Sequence, residues 1–178
     1  MSSLDITLIV SGLSADSPCG ENLEYDPVFL ELEQAAEEKP ETQYGDTIVA
    51  ALPPDWKQVK RQSLALLQRS LDLRIATLLT RASLHIDGLQ GFADGLSIIA
   101  AMLEHQWPQL HPQLDPDDNN DPMFRINTIA SLIDSKNVLQ PLRTTPIVAS
   151  RAQGSFVCAM LKSRWVKRSR LVIPKSRR

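Results

Sequence analysis

Residues 72–107 read DLRIATLLTRASLHIDGLQGFADGLSIIAAMLEHQW, and their reading decides the fold. Ile75, Leu78/Leu79, Ala82 and Ile86 recur at helical spacing, with Asp72 placed as an N-cap. Phe92, Leu96, Ile99 and Leu103 repeat that spacing further on. Gly88 falls where the first helix would need a C-cap. Two helices joined by so short a connection must lie antiparallel and side by side.

Upstream, Asp26 caps a helix that has Pro27 at its first position and Phe29, Leu32 and Ala36 on one face. After a loop with a short extended piece near Thr47–Ala51, Asp55 and Trp56 start a further helix, with Val59 and Leu66/Leu67 inward. Downstream of residue 107 comes a Pro- and Asp-rich loop. Asp121 and Pro122 then restart a helix whose expected inward residues are Ile126, Ile129, Ala130 and Ile133. A short helix stopped near Pro141 and a small hairpin over TTPIVASRAQGSF complete the pattern. The fold expected is mainly α: a compact antiparallel domain of about five to seven helices with minor short β segments.

The 178 residues hold 43% hydrophobic and 22% charged residues, ordinary values for a globular protein with one core. The net charge of −2 averages two unlike parts. Residues 157–178 contain eight Lys or Arg and no acid, which leaves residues 1–156 at a formal −10. Two cysteines, Cys19 and Cys158, are too few for a disulfide framework. The N-terminal apolar run lacks a positive flank, so no signal peptide is expected. No continuous apolar stretch has the length of a membrane span, and a cytoplasmic location follows as the expectation.

The chemistry-bearing residues form no recognised constellation. His111 with Asp115, Asp117, Asp118 and Asp121 suggests a calcium loop, but Asn120 and Ile126 stand where that loop needs Gly and Glu. The three histidines have no zinc spacing, and neither cysteine lies in a CxxC. Cys19 would be a nucleophile only with a histidine folded beside it, and a buried thiol is the plainer reading. No catalytic, cofactor or metal site is expected, and no small-molecule substrate.

Five segments in order, SPCGENLEYDPVFLELEQAA, QYGDTIV, PPDWKQV, LDLRIATLLTRASLHIDGLQGFADGL and HPQLDPDDNNDPMFRINTIASL, resemble the N-terminal (ImpA-type) domain of the TssA family of bacterial type VI secretion. The resemblance runs from about residue 5 to residue 156. It implies a non-catalytic, cytoplasmic structural component with other secretion proteins as partners: baseplate, tail tube or sheath. In that family a separate C-terminal region forms a multimeric ring, so no ring is expected from this chain.

Matched residue by residue, the family-like positions are Ser17, Pro18, Cys19, Gly20, Leu23, Tyr25, Asp26, Gly45, Asp46, Asp55, Trp56, Leu73 and Arg74. Trp107, His111, Pro112, Asp115, Asp121, Pro122, Arg125 and Asn127 follow. Most are expected to fix loops, caps and core rather than make contacts. Pro18, Cys19, Gly20, Tyr25, Asp26, Asp55, Trp56, Arg74, Trp107, His111, Asp115, Asp121 and Arg125 are the candidates for structural or interaction roles. Arg125, in the first turn of its helix, is expected to pair with Asp115 or Asp118 of the preceding loop.

The resemblance ends after Gly154–Phe156. Residues 1–156 are therefore taken as the domain and 157–178 as a basic tail that is frameshifted or disordered. A one-nucleotide slip would allow a family-like and then linker-like continuation: Val157/Cys158 permits Leu, and Trp165/Val166 forces Gly. Taken at face value, the tail with Trp165 could bind nucleic acid or another acidic partner, which the acidic body opposes.

Overall fold

The computed structural model describes residues 12–44, 47–150 and 154–157. Gly45, Asp46, Cys158, the N-terminal apolar run and the basic tail beyond Val157 lie outside the described residues. Five α-helices are described: α1 (Pro27–Ala36), α2 (Trp56–Leu66), α3 (Leu73–His105), α4 (Met123–Ala130) and α5 (Gln140–Thr144). Two antiparallel hairpins accompany them, β1 (Thr42–Tyr44) with β2 (Thr47–Val49) and β3 (Pro146–Ser150) with β4 (Gly154–Val157). The mainly α expectation holds.

Helix α3 has the length and apolarity to cross a bilayer, but it does not run straight. Gly88 has φ 70° and ψ −147°, a conformation essentially closed to side-chain-bearing residues, and there the chain folds back. The arms 73–87 and 89–105 then pack against each other. A Cβ on Gly95 would lie 2.5 Å from the Thr80 hydroxyl oxygen, and one on Gly91 would lie 2.6 Å from the Ser83 carbonyl. The glycines thus set the inter-arm distance, and they shift the buried stripe of the second arm. Gly91, Gly95, Ile98, Ile99 and Met102 are buried there, whereas Leu96 is exposed and Phe92 and Leu103 are half-buried. The expected stripe was correct at Ile99 and otherwise one position off.

Helices α1 and α2 cover the first arm. Phe29, Leu32 and Ala36 from α1 meet Val59 and Leu66 from α2 and Leu73, Ile75, Leu79 and Ala82 from α3. Each fully buried Leu, Ile or Phe contributes about 2 kcal/mol of transfer free energy to this cluster. The caps act as the sequence indicates: Asp26 accepts from the amides of Val28 and Phe29, Asp55 from Gln58 and Asp72 from Arg74.

The last third departs from expectation in three places. Helix α4 turns Arg125 inward, with Leu132 the next buried residue, while Ile126, Ala130 and Ile133 face solvent and Ile129 is half-buried. Pro122, not Asp121, occupies the cap position of α4, although the Asp121 carboxylate still accepts the Met123 amide at 3.0 Å. Pro141 begins α5 instead of stopping a helix. A wide π-turn, Ser135–Leu139, leads into it, and the missing N–H of Pro141 falls in a first turn.

Candidate functional site

The loop 17–20 is held at the C-terminal end of α3. Leu13 donates to the Pro18 carbonyl at 2.8 Å, and Leu71 donates to the Cys19 carbonyl at 2.8 Å. Gly20 has φ 72°, and any side chain there would run into the Arg69 carbonyl oxygen. His111 is buried and its Nε2 lies 3.3 Å from the Gly20 carbonyl. Its backbone is inserted between Leu71 and Leu73, accepting from the Leu73 amide at 2.9 Å and donating to the Leu71 carbonyl at 3.2 Å.

The Cys19 thiol is buried beside the Gln106 carbonyl and side-chain oxygens, at 4.0 and 3.9 Å. Burial raises its pKa, and the positive charge of Arg125 draws it back in part. Among the described residues, both polar contacts of the thiol are with Gln106.

Arg125 closes this cluster. Its side chain is 1% exposed, and its Nε donates to the Pro112 carbonyl at 2.8 Å. One terminal nitrogen donates to the Trp107 carbonyl at 2.6 Å, the other to the Leu110 carbonyl. The guanidinium also stacks 4.6 Å from the Trp107 ring centroid. The expected pairing with Asp115 or Asp118 is therefore wrong. The cation leaves the unfavourable N-terminal end of its own helix for carbonyls just past the C-terminal end of α3, where the dipole favours positive charge. Burial lowers its pKa from the usual arginine value.

The other candidates lie elsewhere. Asp26 caps α1 and meets Arg69 at 2.8 Å; that bond holds its carboxyl below the usual range, and Arg69 also reaches Glu21. Arg74 pairs with buried Asp72 and lies 4.8 Å from the Phe29 ring. Trp56, next to the α2 cap Asp55, stacks on His85 with centroids 4.3 Å apart and lies under Arg81. Arg81 has its Nε buried with no hydrogen-bond partner, and burial lowers its pKa. Asp115 caps the 3-10 turn Pro116–Asp118, accepting from the Asp117 amide. Tyr25 is 88% exposed.

The structure thus unites Pro18, Cys19, Gly20, Trp107, His111 and Arg125, and separates the rest into caps and ion pairs. Gln106, Ser70 and Arg69 belong to these clusters and were not singled out from sequence. Their contacts reach across 43 to 87 positions and carry no local signal. Among the described residues, no three His, Cys, Asp or Glu side chains are grouped to hold a metal ion.

A family model described as ImpA, N-terminal, type VI secretion system, matches residues 10–134. The type VI secretion system component TssA1 of Pseudomonas aeruginosa PAO1 is 45% identical over 151 residues, 85% of this chain and 44% of that protein. The chain therefore spans less than half the length of this relative. The solved N-terminal domain, including the conserved ImpA_N region, of the TssA component from Burkholderia cenocepacia superposes with a TM-score of 0.66. That alignment covers 93% of this chain and 62% of the other at 24% identity, a likeness of fold.

Proposed function

The chain belongs to the ImpA N-terminal family of the type VI secretion system, and from that premise we propose that it works as a non-catalytic adaptor on the cytoplasmic side of the machine. Residues 1–156 are the adaptor domain in this reading, and residues 157–178 are outside it. Its partners are other secretion components, from the baseplate or from the tail tube and sheath during their assembly. The ring-forming role that the family resemblance implies is not assigned to residues 1–156 in this reading.

The observation that carries the reading is the use of the candidate polar groups. Asp26, Asp55, Asp72, Asp115, His111 and Arg125 all bond to the chain's own backbone. These residues shape a rigid body whose outer faces are left for other proteins. The test is direct binding of the purified chain to purified baseplate, tube and sheath proteins of the same secretion locus. Saturable binding to one of them, with competition against the full-length relative, supports the adaptor role. Absence of binding to all of them would remove it.

A further inference from the structure

Four large apolar side chains stand out from one short stretch of the last third. Met123 is 51% exposed, Phe124 61%, Ile126 50% and Ile133 71%. With exposed Ala130, three of them form the series 123, 126, 130, 133, which is the i, i+3, i+7, i+10 spacing of a coiled-coil seam. The seam runs along α4 and the 3-10 turn Ser131–Ile133, opposite buried Arg125. Leaving it in water costs transfer free energy that burial elsewhere would recover.

The end of the seam nearest Met123 is bordered by the exposed loop carrying Asp115, Asp117, Asp118 and Asp121. Asp115 and Asp121 accept only backbone amides, and none of the four carboxylates is in an ion pair among the described residues. An apolar seam of helical spacing with a net negative end is complementary to a helix with an apolar stripe and Lys or Arg beyond it.

We propose that the outer face of α4, with the Asp115–Asp121 loop, is a docking surface for a basic amphipathic helix of another protein. Met123, Ile126, Ala130 and Ile133 would take the apolar stripe, and the aspartates would meet the cations. This inference rests on reading the chain as a protein-binding module and names the chemistry of what it binds. A second copy of the chain is the poorer fit, because it would bring the same acidic loop.

The probes are two synthetic helical peptides of about three heptads with identical Leu and Ile seams. One carries Lys and Arg on its remaining positions, and its twin carries Glu. Binding to the full chain is read by fluorescence anisotropy. The basic peptide is expected to bind at least roughly tenfold more tightly than the acidic twin. Ile133→Asp, and separately the milder Ile133→Ser, should weaken it about tenfold or more at unchanged melting temperature. Asp117→Asn with Asp118→Asn should erase the charge preference and keep weak apolar binding.

Equal affinity for the twins, binding of neither, or binding that survives both Ile133 variants would overturn the proposal. So would sedimentation showing a wild-type dimer that Ile133→Asp dissociates, which would make a second copy the occupant. A chain that passes these tests yet binds no purified secretion component keeps the surface and loses the function proposed above.

Discussion

Helices α3 and α4 carry comparable apolar stripes and use them in opposite ways. In α3 the stripe is folded onto itself at Gly88 and buried under α1 and α2. In α4 the stripe is turned out, and the side chain buried in its place is an arginine. The difference lies in what each helix finds on its inner side. The first arm of α3 meets glycines and aliphatic residues, whereas α4 meets a ring of backbone carbonyls from residues 107, 110 and 112. Carbonyls buried without donors are costly, and a guanidinium can satisfy three at once. Helix orientation here follows hydrogen-bond accounting in one region and apolar area in the other.

The largest expected effect comes from removing that arginine. Arg125→Ala should destabilise the chain by about 4 kcal/mol, since it leaves the carbonyls unpaired and a cavity beneath Trp107. A shift in urea midpoint worth less than about 1 kcal/mol would mean that α4 is not oriented by this residue. Arg81 supplies the contrast, a cation above Trp56 with its Nε unpaired. Arg81→Met should cost less than about 1 kcal/mol.

The hinge and the close approach come next. Gly95→Val should cost about 3 kcal/mol, because the added atoms meet the Thr80 backbone. Gly88→Ala should cost about 2 kcal/mol through its backbone conformation alone. If both were neutral, the arms would not be packed as described. The two stripes can also be compared at matched chemistry. Ile75→Ala, in the buried one, should cost about 3 kcal/mol, and Ile133→Ala, in the outward one, less than about 0.5 kcal/mol.

The smallest effect is the pH dependence of Cys19. Burial raises its pKa, so the folded chain holds the thiol proton more tightly than the unfolded chain does. The linked stability is intact below the ordinary thiol pKa and is lost as pH rises from there toward the folded value. In a Cys158→Ser background, the urea midpoint should fall as pH rises above the ordinary thiol range, and Cys19→Ala should flatten that slope. An unchanged slope would place the alkaline sensitivity elsewhere.

Much of the fold was legible because the relevant signals are local. Asp26, Asp55 and Asp72 are read as caps from their own neighbourhoods, and Gly88 from its place between two helical patterns. The orientation of α4 was not legible. Ile126 and Ile133 satisfy an inward periodicity as well as an outward one, and the choice depends on Arg125. Its acceptors are backbone carbonyls, which have no residue type, so the nearby aspartates were the natural and mistaken partners. Cys19 and Gln106 meet across 87 positions, a contact that periodicity does not encode.

The short strand-like contact at His111 has a kinetic consequence. By bonding to Leu71 and Leu73 it joins the chain just before α3 to the chain just after it. The helical hairpin is thereby tied at its open end by backbone bonds of its own, in addition to the side-chain packing it shares with α1 and α2. Such a tied unit is expected to open as one, together with the core it shares. The amides of Leu73, at the start of α3, and of His111, just beyond its end, should therefore exchange with solvent at one shared rate, set by global opening.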